Sequence, residues 1–189
     1  MTEQLLSSLL WRRSDIASLE LCTLSARNGD HVLAGTVVCA LDGQPAHCVY
    51  EVVCSADWQT TEVRVDVQRG GVSAALELKA DGNGFWWRAD TELVHLRGLI
   101  DVDIALTPST NTLPIRRLRL EPGQSADVTA AWIRLPALTV EPLAQQYTRT
   151  GEQSYRYASR GGAFTADLTV DDFGLVVRYG EYWERVDLT

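Results

Sequence analysis

Two aspartates spaced two residues apart, Asp101 and Asp103, form the first candidate site in this sequence. They stand in an alternating segment at 100–106, where a β-strand would place both carboxylates on one face and Val102 and Ile104 on the other. If that face lines a cavity, the paired carboxylates would raise each other's pKa and could perform acid–base chemistry. The alternative is a solvated outer face, or ion pairs with the arginines that follow along the chain.

A polar segment rich in Ser, Thr, Asn and Pro follows at 107–114. Such residues bond back to nearby backbone and preset turns, so the segment fits a self-satisfied wide turn. It equally fits a polar mouth in which Asn111 and Thr112 bind sugar or headgroup hydroxyls. Arg116 and Arg117 come next and are predicted to lie on a strand, facing opposite ways. Whichever guanidinium faces inward could clamp a carboxylate or phosphate.

Further candidates stand beside tryptophans. Arg12 and Arg13 follow Trp11, and the question of inward or outward orientation applies to both of them. Trp86 and Trp87 follow a glycine-rich turn at 81–84, and adjacent strand residues face opposite ways, so one of the pair must lie outside or at a rim. We predict Trp86 at a rim, where it would stack on a sugar or contact an acyl chain. Most of the other tryptophans are expected in the core.

Several functional classes are disfavoured by the sequence. The formal net charge of −8 argues against nucleic-acid binding, which needs a concentrated basic face. The chain shows no nucleophile elbow and no phosphate-binding loop. Its three histidines are scattered, and its four cysteines form no CxxC pair and are expected to be buried thiols. We therefore assign no catalytic residue, no metal and no cofactor.

The sequence also predicts the location of the protein. No apolar run approaches the ~20 residues of a membrane-spanning helix. The first ten residues lack a basic region and a long apolar run, and no small-residue cleavage site follows them. We expect a cytoplasmic protein with no stable membrane insertion.

Apolar residues recur mainly with a period of two, which indicates β-strands separated by glycine-rich turns. The turns are roughly a dozen residues apart, as in a meander of hairpins. We predict one mainly-β domain over 1–189, an antiparallel meander forming a curved, partly open β-barrel or β-roll. One or two short helices are predicted, with candidates at 2–10 and 140–147. Strands are predicted at 51–57, 61–67, 72–78, 100–106, 113–120, 126–135, 154–158, 164–170 and 175–179.

A family resemblance covers nearly the whole chain. Its strongest block runs from Asp101-Val-Asp103 through Thr110-Asn-Thr-Leu-Pro-Ile-Arg-Arg-Leu118. Other blocks are Trp11-Arg-Arg-x-Asp15, Asp57-Trp-x-Thr60, Tyr155-x-Tyr157 and Gly174-Leu-Val176. The chain resembles the Putative glycolipid-binding family of bacterial proteins, similar in fold to bacterial lipoprotein and lipid carriers. That resemblance implies a half-open β-barrel whose concave side holds acyl chains. The known carriers work outside the cytoplasm, whereas this chain shows no export signal.

Three functional hypotheses follow. The leading one is binding of a lipid or glycolipid, with acyl chains in an apolar trough and the headgroup at a polar mouth. The mouth would be formed by Asp101, Asp103, Asn111, Thr112, Arg116 or Arg117, with Arg12 and Trp86. The alternatives are an enzyme that uses Asp and Arg pairs in the same barrel, and a structural module that forms a homodimer through its strand edges.

Overall fold

The computed structural model describes residues 3–187, which form one continuous, mainly antiparallel sheet with a short helix. In chain order the strands are β1 Glu3–Arg13, β2 Ser18–Arg27, β3 Asp30–Leu41, β4 Gln44–Cys54, β5 Thr60–Arg69, β6 Val72–Ala80, β7 Trp86–Arg88, β8 Thr91–Glu92, β9 Asp101–Ile104, β10 Ser125–Arg134, β11 Thr139–Arg149, β12 Ser154–Ser159, β13 Phe164–Val170, β14 Val176–Tyr179 and β15 Trp183–Arg185. The helix α1 spans Thr112–Leu118, and 3₁₀ turns lie at Val94–Leu96, Ser109–Asn111 and Arg160–Gly162.

The sheet consists of two meanders joined edge to edge. Strands β1 to β8 follow one another in space, and β15 back to β9 form the second meander in reverse order. The two meet where β1 pairs with β15, with Trp11 opposite Arg185 and Arg13 opposite Trp183. Neighbouring strands are antiparallel except β9 and β10, which are parallel. This arrangement confirms the predicted curved, partly open β-barrel, since hydrogen bonding does not close the sheet.

Alternation along the long strands separates the two faces of the sheet. On β4 and β5 every second residue is buried, and the buried residues of the first meander are mainly aliphatic or cysteine. Helix α1 adds Leu113, Pro114 and Ile115 to the core. Trp11, Trp86 and Leu113 are fully buried. The apolar face expected to form an acyl trough is therefore packed with side chains.

Three predicted elements are wrong. Residues 3–10 of the first predicted helix lie in β1, with residue 2 outside the described part, and 140–147 lie in β11, since pairing with β2 and β10 overrides weak helix propensity. The predicted strand at 113–120 is instead the helix α1. Pro114 in the first turn is compatible with a helix start, because the first N–H groups need no partner inside the helix.

The two outer strands of the sheet, β8 and β9, are only two and four residues long. Short edge strands offer few unpaired backbone groups to another molecule. Near β9, the Thr60 N–H donates to the Ile100 carbonyl at 3.3 Å, and the Trp86 Nε1 donates to the Leu99 carbonyl at 2.7 Å. These bonds fasten the segment before β9 to the first meander. Within residues 3–187 no helix is long and apolar enough to cross a membrane.

Candidate functional site

A cavity of about 260 Å³ opens between β9 and the meeting point of β1 and β15. We call it the aromatic pocket. Its polar wall consists of Arg13, Asp103, Thr107, Asn111, Ser159 and Arg160. Its aromatic wall consists of Trp132, Tyr157, Phe164, Tyr179, Tyr182 and Trp183. The combination of flat rings with a few convergent polar groups is typical of small-molecule sites.

Cross-strand register assembles the aromatic wall. Tyr157 on β12 lies opposite Tyr147 on β11, and Tyr179 on β14 lies opposite Trp183 on β15. Residues directly opposite on antiparallel strands share a face, so their rings meet there. Ring centroids are 5.2 Å apart for Tyr147–Tyr157 and for Tyr179–Trp183, and 6.0 Å for Tyr157–Phe164. Apart from Trp132, the rings of the aromatic wall form one connected layer, which Tyr147 extends.

Asp103 supplies the carboxylate of the aromatic pocket. Gln145 on β11 donates its Nε2–H to Asp103 Oδ2 at 2.5 Å. Burial raises the pKa of Asp103 to about 6, and the hydrogen bond from Gln145 opposes that rise. The group is therefore ionised at pH 7 and becomes protonated in mildly acidic solution. One acceptor oxygen remains for a ligand hydroxyl.

Asn111 also lines the aromatic pocket, and its amide is fixed on both sides. Its Nδ2 donates to the Pro108 carbonyl at 3.1 Å, and its Oδ1 accepts from the Tyr147 hydroxyl at 2.9 Å. The pKa of Tyr147 is raised well above its usual value, mainly by burial, so the phenol stays neutral and donates. The predicted polar segment is thus both self-satisfied and a wall of the cavity.

Behind Thr107 lies a buried acid that the sequence did not single out. Glu20 Oε1 accepts from Tyr50 at 2.5 Å and from Thr107 at 2.6 Å, while Thr107 Oγ1 also accepts from the Ser109 N–H at 3.0 Å. Burial raises the pKa of Glu20 to about 8, so the acid is mostly protonated at neutral pH. Gly35 makes room for this cluster, since a Cβ there would lie 2.3 Å from the Tyr50 ring.

Asp101 has a different fate from Asp103. Arg117 Nε and Nη2 donate to the two oxygens of Asp101 at 3.0 and 2.5 Å, a bidentate pair. Asp101 is 1% exposed and is not part of the aromatic pocket. Burial raises its pKa and the ion pair opposes this, while Asp101 raises the pKa of Arg117. Asp101 therefore forms the ion pair with a following arginine that was the alternative prediction from the sequence. Arg117 lies on the helix α1, however, and not on the predicted strand.

Arg116 lies at a second cavity, of about 450 Å³, which does not share lining residues with the aromatic pocket. Its guanidinium stands 5.5 Å above the Trp58 ring and donates to the Asp172 carbonyl at 3.3 Å. The ring of His31 also contacts Trp58: the two rings are stacked, with their centroids 4.0 Å apart. Burial and Arg116 together lower the pKa of His31. Arginines and carboxylates both line this cavity, so it has no uniform charge.

Besides Asp101 and Arg117, three predicted site residues lie away from both cavities. Trp86 is fully buried, so the predicted rim position is wrong: its strand turns this ring inward, where Nε1 bonds the Leu99 carbonyl. Thr112 is also fully buried and donates to the Gly174 carbonyl at 3.1 Å. Arg12 points outward and pairs with Glu184, because its neighbour Arg13 takes the inner face. All three serve packing or surface contacts in this structure.

Sequence reasoning missed most of the aromatic pocket, including Arg160, and it left open which of Arg12 and Arg13 faces inward. Arg13 stands 4.3 Å above the Trp183 ring and Arg160 stands 5.3 Å above the Trp132 ring. Tyr155-x-Tyr157 and the tyrosines late in the chain were the available signal, because a spacing of two places rings on one face. Which other strand faced them depended on the pairing of β1 with β15, which joins the two ends of the chain.

Among the described residues there is neither a metal-binding cluster nor a reactive thiol. Within residues 3–187 no group of three His, Cys, Asp or Glu side chains could hold a metal ion. Cys22, Cys39, Cys48 and Cys54 are free and buried, and burial raises their pKa values. Raised values keep the sulfur protonated and unreactive.

The sheet, its buried helix and the aromatic pocket define a barrel-like β protein with a cavity suited to binding. The chain belongs to the Putative glycolipid-binding family, whose model matches residues 8–185. The sequence resemblance to this family is thereby confirmed. No curated protein sequence matches the chain.

Two solved structures are similar to it. A DUF1089 family protein from Pseudomonas aeruginosa has a TM-score of 0.81 and 35% identity over 92% of this chain and 95% of that chain. A beta-barrel-like protein of domain of unknown function DUF1849 from Brucella abortus has a TM-score of 0.52 over 98% of each chain. At 9% identity the second likeness concerns the fold alone.

Proposed function

We propose that the protein binds the sugar headgroup of a glycolipid in the aromatic pocket. The observation that carries the proposal is a single cavity lined both by aromatic rings and by the polar groups of Asp103 and Asn111. Aromatic faces bury the apolar face of a sugar ring, and carboxylate and amide oxygens accept hydrogen bonds from its hydroxyls. The description of the family supports the same class of ligand.

The size of the cavity suggests how much of the ligand enters. A volume of about 260 Å³ lies just below the roughly 300–1,000 Å³ typical of pockets for whole small-molecule ligands. The sheet interior beside it is filled by core side chains and α1. A sugar ring therefore fits inside, and the acyl chain extends from the mouth. This differs from the sequence expectation of acyl chains within the barrel.

The proposal is tested by titrating the protein with n-octyl β-glucoside below its micelle concentration and following tryptophan fluorescence, which Trp132 and Trp183 report. Asp103→Asn replaces an acceptor oxygen with a donor and is expected to weaken binding about tenfold, the loss of one hydrogen bond to a charged group. Asp127→Asn is the matched control. Asp127 accepts from Gln146 at 2.9 Å as Asp103 accepts from Gln145, but on the outer face.

Equal binding by wild type, Asp103→Asn and Asp127→Asn would show that the aromatic pocket is not the site. Native mass spectrometry of the purified protein, followed by organic extraction, gives an independent measurement. A co-purifying glycolipid would support the proposal and identify the ligand, whereas a clean apo mass together with no fluorescence response would contradict it.

A second candidate function is acid–base catalysis on a bound sugar, favoured by the raised pKa of Asp103. Sugar hydrolysis ordinarily uses two carboxyl groups on either side of the bond that breaks. Asp101 is engaged by Arg117, and Glu20 is separated from the cavity by Thr107. Release of p-nitrophenol from p-nitrophenyl glycosides that disappears in Asp103→Asn would move the assignment to an enzyme.

A further inference from the structure

The backbone at one corner of the aromatic pocket is strained. Arg160 has φ +53°, which lies in the left-handed region that residues other than glycine rarely adopt. Gly161 and Gly162 follow with φ +65° and +89°. A glycine at 160 would adopt this conformation without a steric cost. Strain of this kind is concentrated at binding and catalytic sites, where the placed side chain has a use.

The guanidinium of Arg160 forms no salt bridge with the other residues that the structure describes. Most arginines of the chain, including Arg13 with Asp15, form salt bridges with carboxylates. Among the residues that the structure describes, no carboxylate lies within salt-bridge distance of Arg160. The formal charge of the whole chain is −8, so this guanidinium is not part of a generally basic surface.

The guanidinium and the carboxylate of the pocket both act on Tyr157. Burial raises the pKa of this phenol, Asp103 raises it further and Arg160 lowers it. Arg160 also lies 5.3 Å above the Trp132 ring, which is in the same wall. A sugar lying on these rings would therefore lie near both a carboxylate acceptor and a guanidinium that has no carboxylate partner among the described residues.

We propose that the ligand of the aromatic pocket is an acidic sugar, whose anionic substituent is bound by Arg160 while Asp103 accepts from its hydroxyls. This inference rests on the proposed function and names the ligand class of the same site. A guanidinium binds carboxylate, sulfate or phosphate with two parallel hydrogen bonds, so any of these substituents has the required chemistry. Beside a neutral sugar, Arg160 would keep its contact with solvent and would have no anionic partner within residues 3–187.

The test compares two ligands with the same ring and tail, n-octyl β-glucoside and n-octyl β-glucuronide, by isothermal titration calorimetry at pH 7.5. The wild type is expected to bind the glucuronide at least about tenfold tighter, the contribution of one charge-assisted contact. Arg160→Gln should remove this preference, and Arg160→Lys should restore part of it.

Arg134→Gln is the matched control. Arg134 lies 5.0 Å above the same Trp132 ring, but it pairs with Glu141 and is not part of the aromatic pocket. This variant should keep the full preference for the glucuronide. Loss of the preference in Arg134→Gln as well would mean that total charge, and not a contact at Arg160, produces it, and would overturn the inference.

Arg160→Gly distinguishes a role of Arg160 in binding from a role in stabilising the fold. It relieves the left-handed strain, so the variant should unfold at a higher denaturant concentration than wild type while losing the preference for the glucuronide. Reduced stability together with an unchanged preference would contradict the assignment.

Two further ligands, methyl glucuronide and inorganic phosphate, test the source of the anion. The comparison of glucoside with glucuronide separates this inference from the proposed function. Methyl glucuronide binding as tightly as octyl glucuronide would identify the free sugar acid as sufficient, and tighter octyl binding would identify a lipid headgroup. Inorganic phosphate binding as tightly as the glucuronide would overturn the sugar part of the inference. Equal binding of glucoside and glucuronide would overturn the inference and leave the proposed function standing, whereas no binding of either would remove both.

Discussion

Asp101 and Asp103 lie on the same face of the same strand, yet their surroundings differ. Asp101 is buried against Arg117, which donates to both of its oxygens. Asp103 receives one hydrogen bond from Gln145 and borders the aromatic pocket. The first carboxylate is neutralised by the fold, while the second keeps a capacity to accept from a ligand. Identical side chains two residues apart therefore differ in role because a single arginine reaches one of them.

The largest expected effect comes from removing the carboxylate of Asp101, which Arg117 neutralises. Asp101→Asn leaves the guanidinium of Arg117 without its carboxylate in a mostly buried site. We expect the free energy of unfolding to fall by roughly 3 kcal/mol, the lower end of the range for a broken buried ion pair, since Arg117 is 23% exposed. Urea denaturation measures this change.

The double variant Asp101→Asn with Arg117→Met is the control, because it removes both charges and should recover most of the loss. A single variant as stable as wild type would show that the pair contributes nothing and that the two aspartates are more alike than their contacts indicate.

The next effect concerns pH and has the opposite sign. The pKa of Asp103 is raised from 3.8 to about 6, so the folded state binds this proton more tightly than the unfolded state. Its stabilising contribution is complete below about pH 4 and is lost as the pH rises through about 6. Asp103→Asn should therefore match wild type near pH 4 and exceed its stability above pH 6, on the order of 2 kcal/mol after allowance for partial exposure.

Denaturation midpoints of wild type and Asp103→Asn between pH 4 and 8 check this crossover. If Asp103→Asn is instead less stable at pH 7, the carboxylate stabilises the fold as Asp101 does, and the contrast between them fails.

The smallest effect extends the comparison to two adjacent arginines. Arg12 pairs with Glu184 on the outer face, where ion pairs contribute about 0–1 kcal/mol, and Arg13 stacks on Trp183 in the aromatic pocket. Arg12→Ala should change stability by less than about 0.5 kcal/mol and leave octyl glucoside binding unchanged. Arg13→Ala should weaken that binding several-fold. Equal binding by both variants would remove Arg13 from the site.

Much of the fold followed from local pattern. The period of two and the regular glycine-rich turns predicted the strands 61–67, 72–78, 126–135 and 164–170, all of which lie within or overlap observed strands. The same pattern predicted that Asp101 and Asp103 share a face. Helix and strand were confused at 3–10, 113–120 and 140–147, because short segments carry little intrinsic preference and their partners decide their state. The single domain over 1–189 and the homodimer stay predictions.

The sequence by itself determined the class of fold, the family and the residue types from which a polar site could be built, since strand alternation and turn residues act over short distances. Only the tertiary structure decided that Asp103 lines a cavity and Asp101 does not. It also placed Arg13, near the start of the chain, beside Trp183, near its end. These relations depend on the pairing of β1 with β15 and on the position of α1, and contacts between distant segments leave no local period in a sequence.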